Sequence, residues 1–137
     1  MGDELHEQHH ANLMRMDPEK RMTYFLTTVT NSEVVYGLQK DGRWLTVLDE
    51  DSGRSVFPVW PHAQLAEEVA KDNWADATPE AVPLGDWLAF TRRLEEDNGL
   101  IAVMMRPDGD HLVVEPGRHR ADLENFMDED DYLGLMK

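Results

Sequence analysis

Apolar residues at three- and four-residue intervals mark the first helix. Met22, Phe25, Leu26 and Val29 fall at i, i+3, i+4 and i+7 and therefore share one stripe. Asp17 and Pro18 stand just before them as an N-cap and a first-turn proline, so the pattern predicts a helix to about Thr30. From Val34 the period changes to two: Val34, Tyr36 and Leu38 alternate with Val35, Gly37 and Gln39, and Asp41-Gly42 is a strong two-residue hairpin signal. Trp44 to Leu48 is then the return strand, and a turn at Asp49 to Gly53 leads into Ser55 to Val59. These segments predict a three-stranded meander, with Pro58 placing the third strand at an edge or ending it.

Helical spacing returns over His62 to Asp72, with Leu65, Ala66, Val69 and Ala70 inward and Glu67, Glu68 and Lys71 outward. Asn73 to Pro83 reads as a loop through Trp74. Leu84, Trp87, Leu88, Thr91 and Leu94 trace another helix, ended by Asn98-Gly99. Leu100 to Met105 is an apolar run of strand length, and Pro107-Asp108-Gly109-Asp110 turns it back into His111 to Val114. A last helix, about Arg118 to Met127, points Leu123, Phe126 and Met127 inward. The expected architecture is α+β: one domain over 17–127, with an about five-stranded, largely antiparallel sheet (the meander plus a hairpin) under about four helices. Residues 1–16 form a polar, His-rich arm or short helix, and 128–137 an acidic tail. Phe25, Leu26, Trp44, Val56, Leu88 and Val103 are the expected core.

Charge narrows the function classes. Among 137 residues, 28 acidic against 13 basic side chains give a formal charge of −15, a field that repels nucleic acid and anionic membranes. The absence of cysteine removes disulfides, thiol catalysis and cysteine-ligated metal sites. Met1 to Met16 has neither the basic flank nor the apolar run of a signal peptide, and no stretch has the roughly 18 apolar residues of a membrane span, so a bacterial-type cytoplasmic location is expected.

The run Val56-Phe57-Pro58-Val59-Trp60-Pro61-His62, followed by Ala66, carries a family resemblance. With Glu33 to Leu38, Gly42-Arg43-Trp44, Val82-Pro83-Leu84 and Pro107-Asp108-Gly109, it resembles the bacterial domain-of-unknown-function family numbered 2750, over roughly Asp17 to Phe126. That resemblance implies a small bacterial α+β domain and names no reaction. A strand reading Val-Phe-Pro-Val that opens straight into a helix is also similar, at the level of fold, to the N-terminal domain of the type III secretion enhancer proteins called SseB.

Chemistry-bearing constellations are few. His6, His9 and His10 have the spacing of one helical face, but they sit in a polar arm with no supporting shell, and no metal site is expected. Asp49, Asp51 and Gly53 resemble the start of a calcium loop but lack the later carboxylate. His62 begins a helix two residues after Trp60; no serine, threonine or carboxylate is tied to it, so capping and packing of the junction is its expected job. Trp44 and Trp87 read as core supports, whereas Trp60 and Trp74 lie at junctions where an exposed tryptophan would anchor an interface. No nucleophile elbow or phosphate loop is present.

The acidic clusters are what is left: Asp49-Glu50-Asp51, Glu95-Glu96-Asp97 and Asp128-Glu129-Asp130-Asp131, each at a turn or chain end. They favour a non-enzymatic module that binds a basic protein, most concretely an immunity protein covering the cleft of an antibacterial effector toxin such as a nuclease. The expected contacts are Trp60, His62, Trp74, Asp49, Glu50, Asp51, Asp128, Glu129, Asp130 and Asp131, with no cofactor, nucleic acid or membrane. The alternative is an enzyme or small-molecule binder with its site near Trp60 and His62.

Overall fold

A computed structural model of the chain describes residues 17–105 and 112–127. The His-rich arm, the Pro107-Asp108-Gly109-Asp110 turn with His111, and Asp128 to Asp131 lie outside the described residues.

Helix α1 runs Pro18–Ser32, and the Asp17 carboxylate accepts the Lys20 N–H at 2.9 Å as its cap. Glu33 ends it in the left-handed region at φ 62°, its N–H donating to the Val29 carbonyl. Strand β1 follows (Val34–Lys40), then the Asp41-Gly42 turn, whose residues have φ 55° and 77°, and β2 (Arg43–Trp44). Positive φ at both turn positions matches the twist of a two-residue hairpin.

The predicted return strand is cut in two. Leu45 and Thr46 interrupt it, β2 stays with β1, and β3 (Val47–Asp49) pairs instead with β4 (Arg54–Val59). The meander is therefore divided between a three-stranded sheet, β2-β1-β5, and a four-stranded one, β3-β4-β6-β7, joined by the Tyr36–Trp60 bridge. Between β4 and β6 lie α2 (Ala63–Asn73), β5 (Thr78–Pro83) and α3 (Leu84–Glu96). That crossover makes β6 (Leu100–Val103) parallel to β4, so the sheet is mixed; β7 (Leu112–Val114) then returns antiparallel and leads into α4 (Pro116–Phe126). The described residues hold seven strands and four helices, and the α+β class stands.

Two proline inferences change. β4 is an inner strand, not an edge. The Trp60 N–H and C=O both bond Tyr36, so by alternation the nitrogen of Pro58 faces the same side, in the gap between the end of β3 and the Tyr36 bridge, where no ladder bond is lost. The segment read as a loop contains β5, which pairs with β1 from Val34↔Pro83 to Gln39↔Thr78. It is an edge strand with prolines at its second and last positions, tolerable only there.

Phe25, Val29, Val35, Leu38, Val56, Val59, Leu65, Val69, Ile101 and Leu123 belong to one buried cluster between helices and sheets. Gly37 has no side chain because Trp44 and Phe57 close over it; a Cβ there would lie 3.1–3.2 Å from their ring carbons. The expected core residues Phe25, Leu26, Val56 and Val103 are buried, whereas Trp44 and Leu88 are half-buried and pack against the core's rim. Phe126, expected inward, is 43% exposed, because the last turn of α4 buries Leu123 and Met127 instead.

Candidate functional site

The parallel pair β4–β6 has two ends of opposite character. At its amino end three chain segments meet. The turn into β4 carries Asp49, Glu50 and Asp51 and closes with Gly53 at φ 73°, whose N–H donates to the Asp49 carbonyl at 2.7 Å. α3 finishes in Glu95, Glu96 and Asp97, and Asn98 at φ 61° turns the chain into β6, with the Gly99 N–H bonded to the Leu94 carbonyl. β7 delivers Glu115, the N-cap position of α4.

Arg54, the first residue of β4, ties them together. Its Nε donates to the Asn98 carbonyl at 2.9 Å and its Nη2 to the Gly99 carbonyl at 3.2 Å. Nη1 and Nη2 both reach the Glu115 carboxylate at 2.7 Å, a bidentate pair. The hydrogen bond to Glu115 raises the Arg54 pKa, and the same bond lowers that of Glu115, so this pair stays ionised. Arg120 performs a second join, donating to Glu95 at 2.8 Å and to Thr91 Oγ1 at 3.2 Å. Gly117 leaves room for that carboxylate, since a Cβ there would stand 2.7 Å from Glu95 Oε2.

Seven carboxylates (49, 50, 51, 95, 96, 97 and 115) thus lie on the segments that meet at this end, where Arg54 pairs with Glu115 and Arg120 with Glu95. Glu50, Asp51, Glu96 and Asp97 are exposed and take part in no ion pair among the described residues. Beside them Leu48, on edge strand β3, is 65% exposed. The arrangement is a negative surface with an apolar side chain at its border, able to attract a cationic surface.

The carboxyl end is packed. Trp60, placed by its sequence position at a surface junction, has no exposure; its Nε1–H donates to the Met105 carbonyl at 3.0 Å. It belongs to the core because the bridge to Tyr36 draws it between the two sheets. His62 occupies the N-cap position of α2, but its side chain makes no capping bond. Its Nε2 is instead hydrogen-bonded to Tyr24 Oη at 2.6 Å, with the rings tilted at 5.8 Å between centroids. The partner absent from sequence reasoning is thus a tyrosine of α1, beside the apolar stripe and without any spacing that links it to His62. Arg21, one turn before Tyr24, is buried, and Met104 sits at φ 51° just past β6. Trp74 is half-buried at the end of α2, against the core.

His119 lies in α4, four residues after the acidic end's Glu115. Its Nε2 accepts the Trp87 Nε1–H at 3.1 Å, so the neutral ring carries its proton on Nδ1, which is buried without a partner among the described residues. Burial pushes its pKa from 6.5 down to about 3.

Among the described residues no three His, Cys, Asp or Glu side chains converge to hold a metal ion, and no helix is long and apolar enough to cross a membrane. Of the acidic clusters read from the sequence, two come together at one end; Asp128, Glu129, Asp130 and Asp131 are outside the described residues. Comparison with curated proteins gave no match. The family model described as Protein of unknown function (DUF2750) matches residues 22–123, a span that holds the Val56 to His62 motif and both ends of the β4–β6 pair, and the chain belongs to that family.

Proposed function

We propose that the domain is a non-enzymatic, acidic protein-binding module whose binding face is the amino end of the β4–β6 pair. In its most concrete form it is an immunity protein of the bacterial cytoplasm that neutralises an antibacterial effector toxin, such as a nuclease, by covering a basic surface. The observation that carries this reading is the placement of Asp49 to Asp51, Glu95 to Asp97 and Glu115 on the segments that meet at this end, where Arg54 bonds Glu115 and the Asn98 carbonyl. Like charges repel, so their gathering at one end favours a cationic counterpart that relieves the repulsion.

The experiment is to isolate the partner from the native cell and measure association kinetics with the purified pair. A basic partner is expected, with an on-rate that falls as salt rises, because charges separated by more than about 8 Å are screened at 0.15 M. Joint Glu50→Gln, Asp51→Asn, Glu96→Gln and Asp97→Asn substitution should lower the on-rate about tenfold or more at low salt and leave the off-rate nearly unchanged. A neutral or acidic partner with a salt-indifferent on-rate would return the charge to solubility alone.

A second reading, a small-molecule-binding domain, is favoured by the 2.6 Å Tyr24–His62 bond near the carboxyl ends of two parallel strands, where open α/β sheets place ligands. His62→Gln and Tyr24→Phe would then abolish binding of a metabolite retained by the purified protein, while the acidic substitutions would not.

A further inference from the structure

We infer that the outer edge of β3 docks a short extended segment of the basic partner, with Leu48 as its apolar contact. This rests on the acidic-surface reading and adds where the partner lies and what its segment is made of.

β3 is the first strand of the order β3-β4-β6-β7 and has no strand hydrogen-bonded to its outer side among the described residues. Backbone direction along β4 follows from Trp60, whose N–H and C=O both bond Tyr36; counting back in twos, Val56 and Arg54 also face the β3 side. Val47↔Val56 and Asp49↔Arg54 are therefore the hydrogen-bonded pairs, and Leu48↔Ser55 is the pair between them. The Leu48 N–H and C=O consequently point outward, from the same residue whose side chain is 65% exposed. An added antiparallel strand can exchange two main-chain hydrogen bonds with that residue, and the side chains supply the selectivity.

The two faces of β3 ask for different side chains. Leu48 and Ser55 share one face; Asp49 and Arg54, with Glu115 on the arginine, share the other. A strand lying beside β3 projects alternate residues to those faces, so its composition is an apolar residue over Leu48 and lysine or arginine toward Asp49 and the exposed Glu50 and Asp51. A second copy of this chain is the wrong occupant, because edge-to-edge pairing would set one acidic turn against another in molecules of formal charge −15.

The test is an NMR titration of the 137-residue chain with a capped nonapeptide of alternating lysine and valine. A second peptide, N-methylated at every valine, keeps charge and apolar surface but loses the donors that face Leu48. Amide shifts centred on Val47 to Asp49 are expected, with several-fold weaker binding both for the methylated peptide and for Leu48→Ser, whose folding is checked by its unchanged spectrum elsewhere. Glu50→Gln with Asp51→Asn should flatten the salt dependence. Binding that falls with salt yet ignores both N-methylation and Leu48→Ser would overturn docking on β3 and leave the acidic-surface reading standing. Absence of binding at millimolar peptide and low salt would overturn both.

Discussion

At the carboxyl end of β4 and β6 the chain runs into Trp60 and Met104, neither with solvent exposure, whereas at the amino end it emerges from turns whose Glu50, Asp51, Glu96 and Asp97 stand in water. One end is held by packing and by hydrogen bonds inside the fold, such as Trp60 to the Met105 carbonyl. The other is held by two surface arginines, Arg54 on two carbonyls and one carboxylate and Arg120 on Glu95. Surface ion pairs contribute little to stability, and Glu50, Asp51, Glu96 and Asp97 enter none among the described residues. On the proposed reading that freedom leaves them available for recognition, and it gives each end a distinct signature under mutation and pH.

The largest expected effect comes from the core beneath the acidic end. His119 has a folded pKa of about 3 against 6.5, so its neutral form is the one the fold accepts, and the unfolded chain takes up the proton first as pH falls. Stability is therefore full above pH 6.5 and lost progressively toward pH 3, by roughly 4–5 kcal/mol in all. Urea unfolding at pH 7, 5 and 4 checks this, and His119→Leu should reduce the proton uptake on unfolding by about one in that window. An unchanged pH slope in the variant would show that carboxylates alone drive the acid transition.

Next in size is the carboxyl end itself. Trp60→Ala should cost about 3–5 kcal/mol by chemical denaturation, as truncation of a fully buried aromatic residue does. A loss below about 1 kcal/mol would remove the packed half of the comparison.

Arg54→Ala sharpens the amino end. A loss smaller than that of Trp60→Ala is expected, shrinking as salt is added, with faster amide exchange confined to the turn at Asn98 and Gly99. Smallest of all, Leu48→Ser should leave the free energy of unfolding within about 0.5 kcal/mol of the parent, because an exposed side chain has no core contacts to lose.

Local chemistry was legible in the sequence where one segment decides the outcome. The Asp17-Pro18 start of α1, the Asp41-Gly42 turn, the inward face of α2 and the Asn98-Gly99 stop are all where short-range spacing puts them. What spacing does not carry is partnership between distant segments. β5 was hidden because it contains two prolines and its strand character comes from pairing with β1. Trp60 reads as a surface residue beside Pro61 until the bridge to Tyr36 places it between two sheets. The acidic clusters were visible one by one, but the meeting of the Asp49 and Glu95 clusters depends on β4 and β6 being parallel, a consequence of the crossover between them. Arg54 itself looks like any strand-edge arginine, and only the fold brings Asn98, Gly99 and Glu115 within its reach.

The comparison of the two ends is tested most directly by mapping, through hydrogen exchange, where a native protein partner protects this domain. Protection is predicted at the Asp49 to Gly53 turn, at Glu95 to Gly99 and around Glu115, with exchange near Tyr24, Trp60 and His62 unaltered. Protection centred on Tyr24 and His62, with the acidic turns exchanging as in the free protein, would contradict the account and move the binding face to the opposite end of the β4–β6 pair.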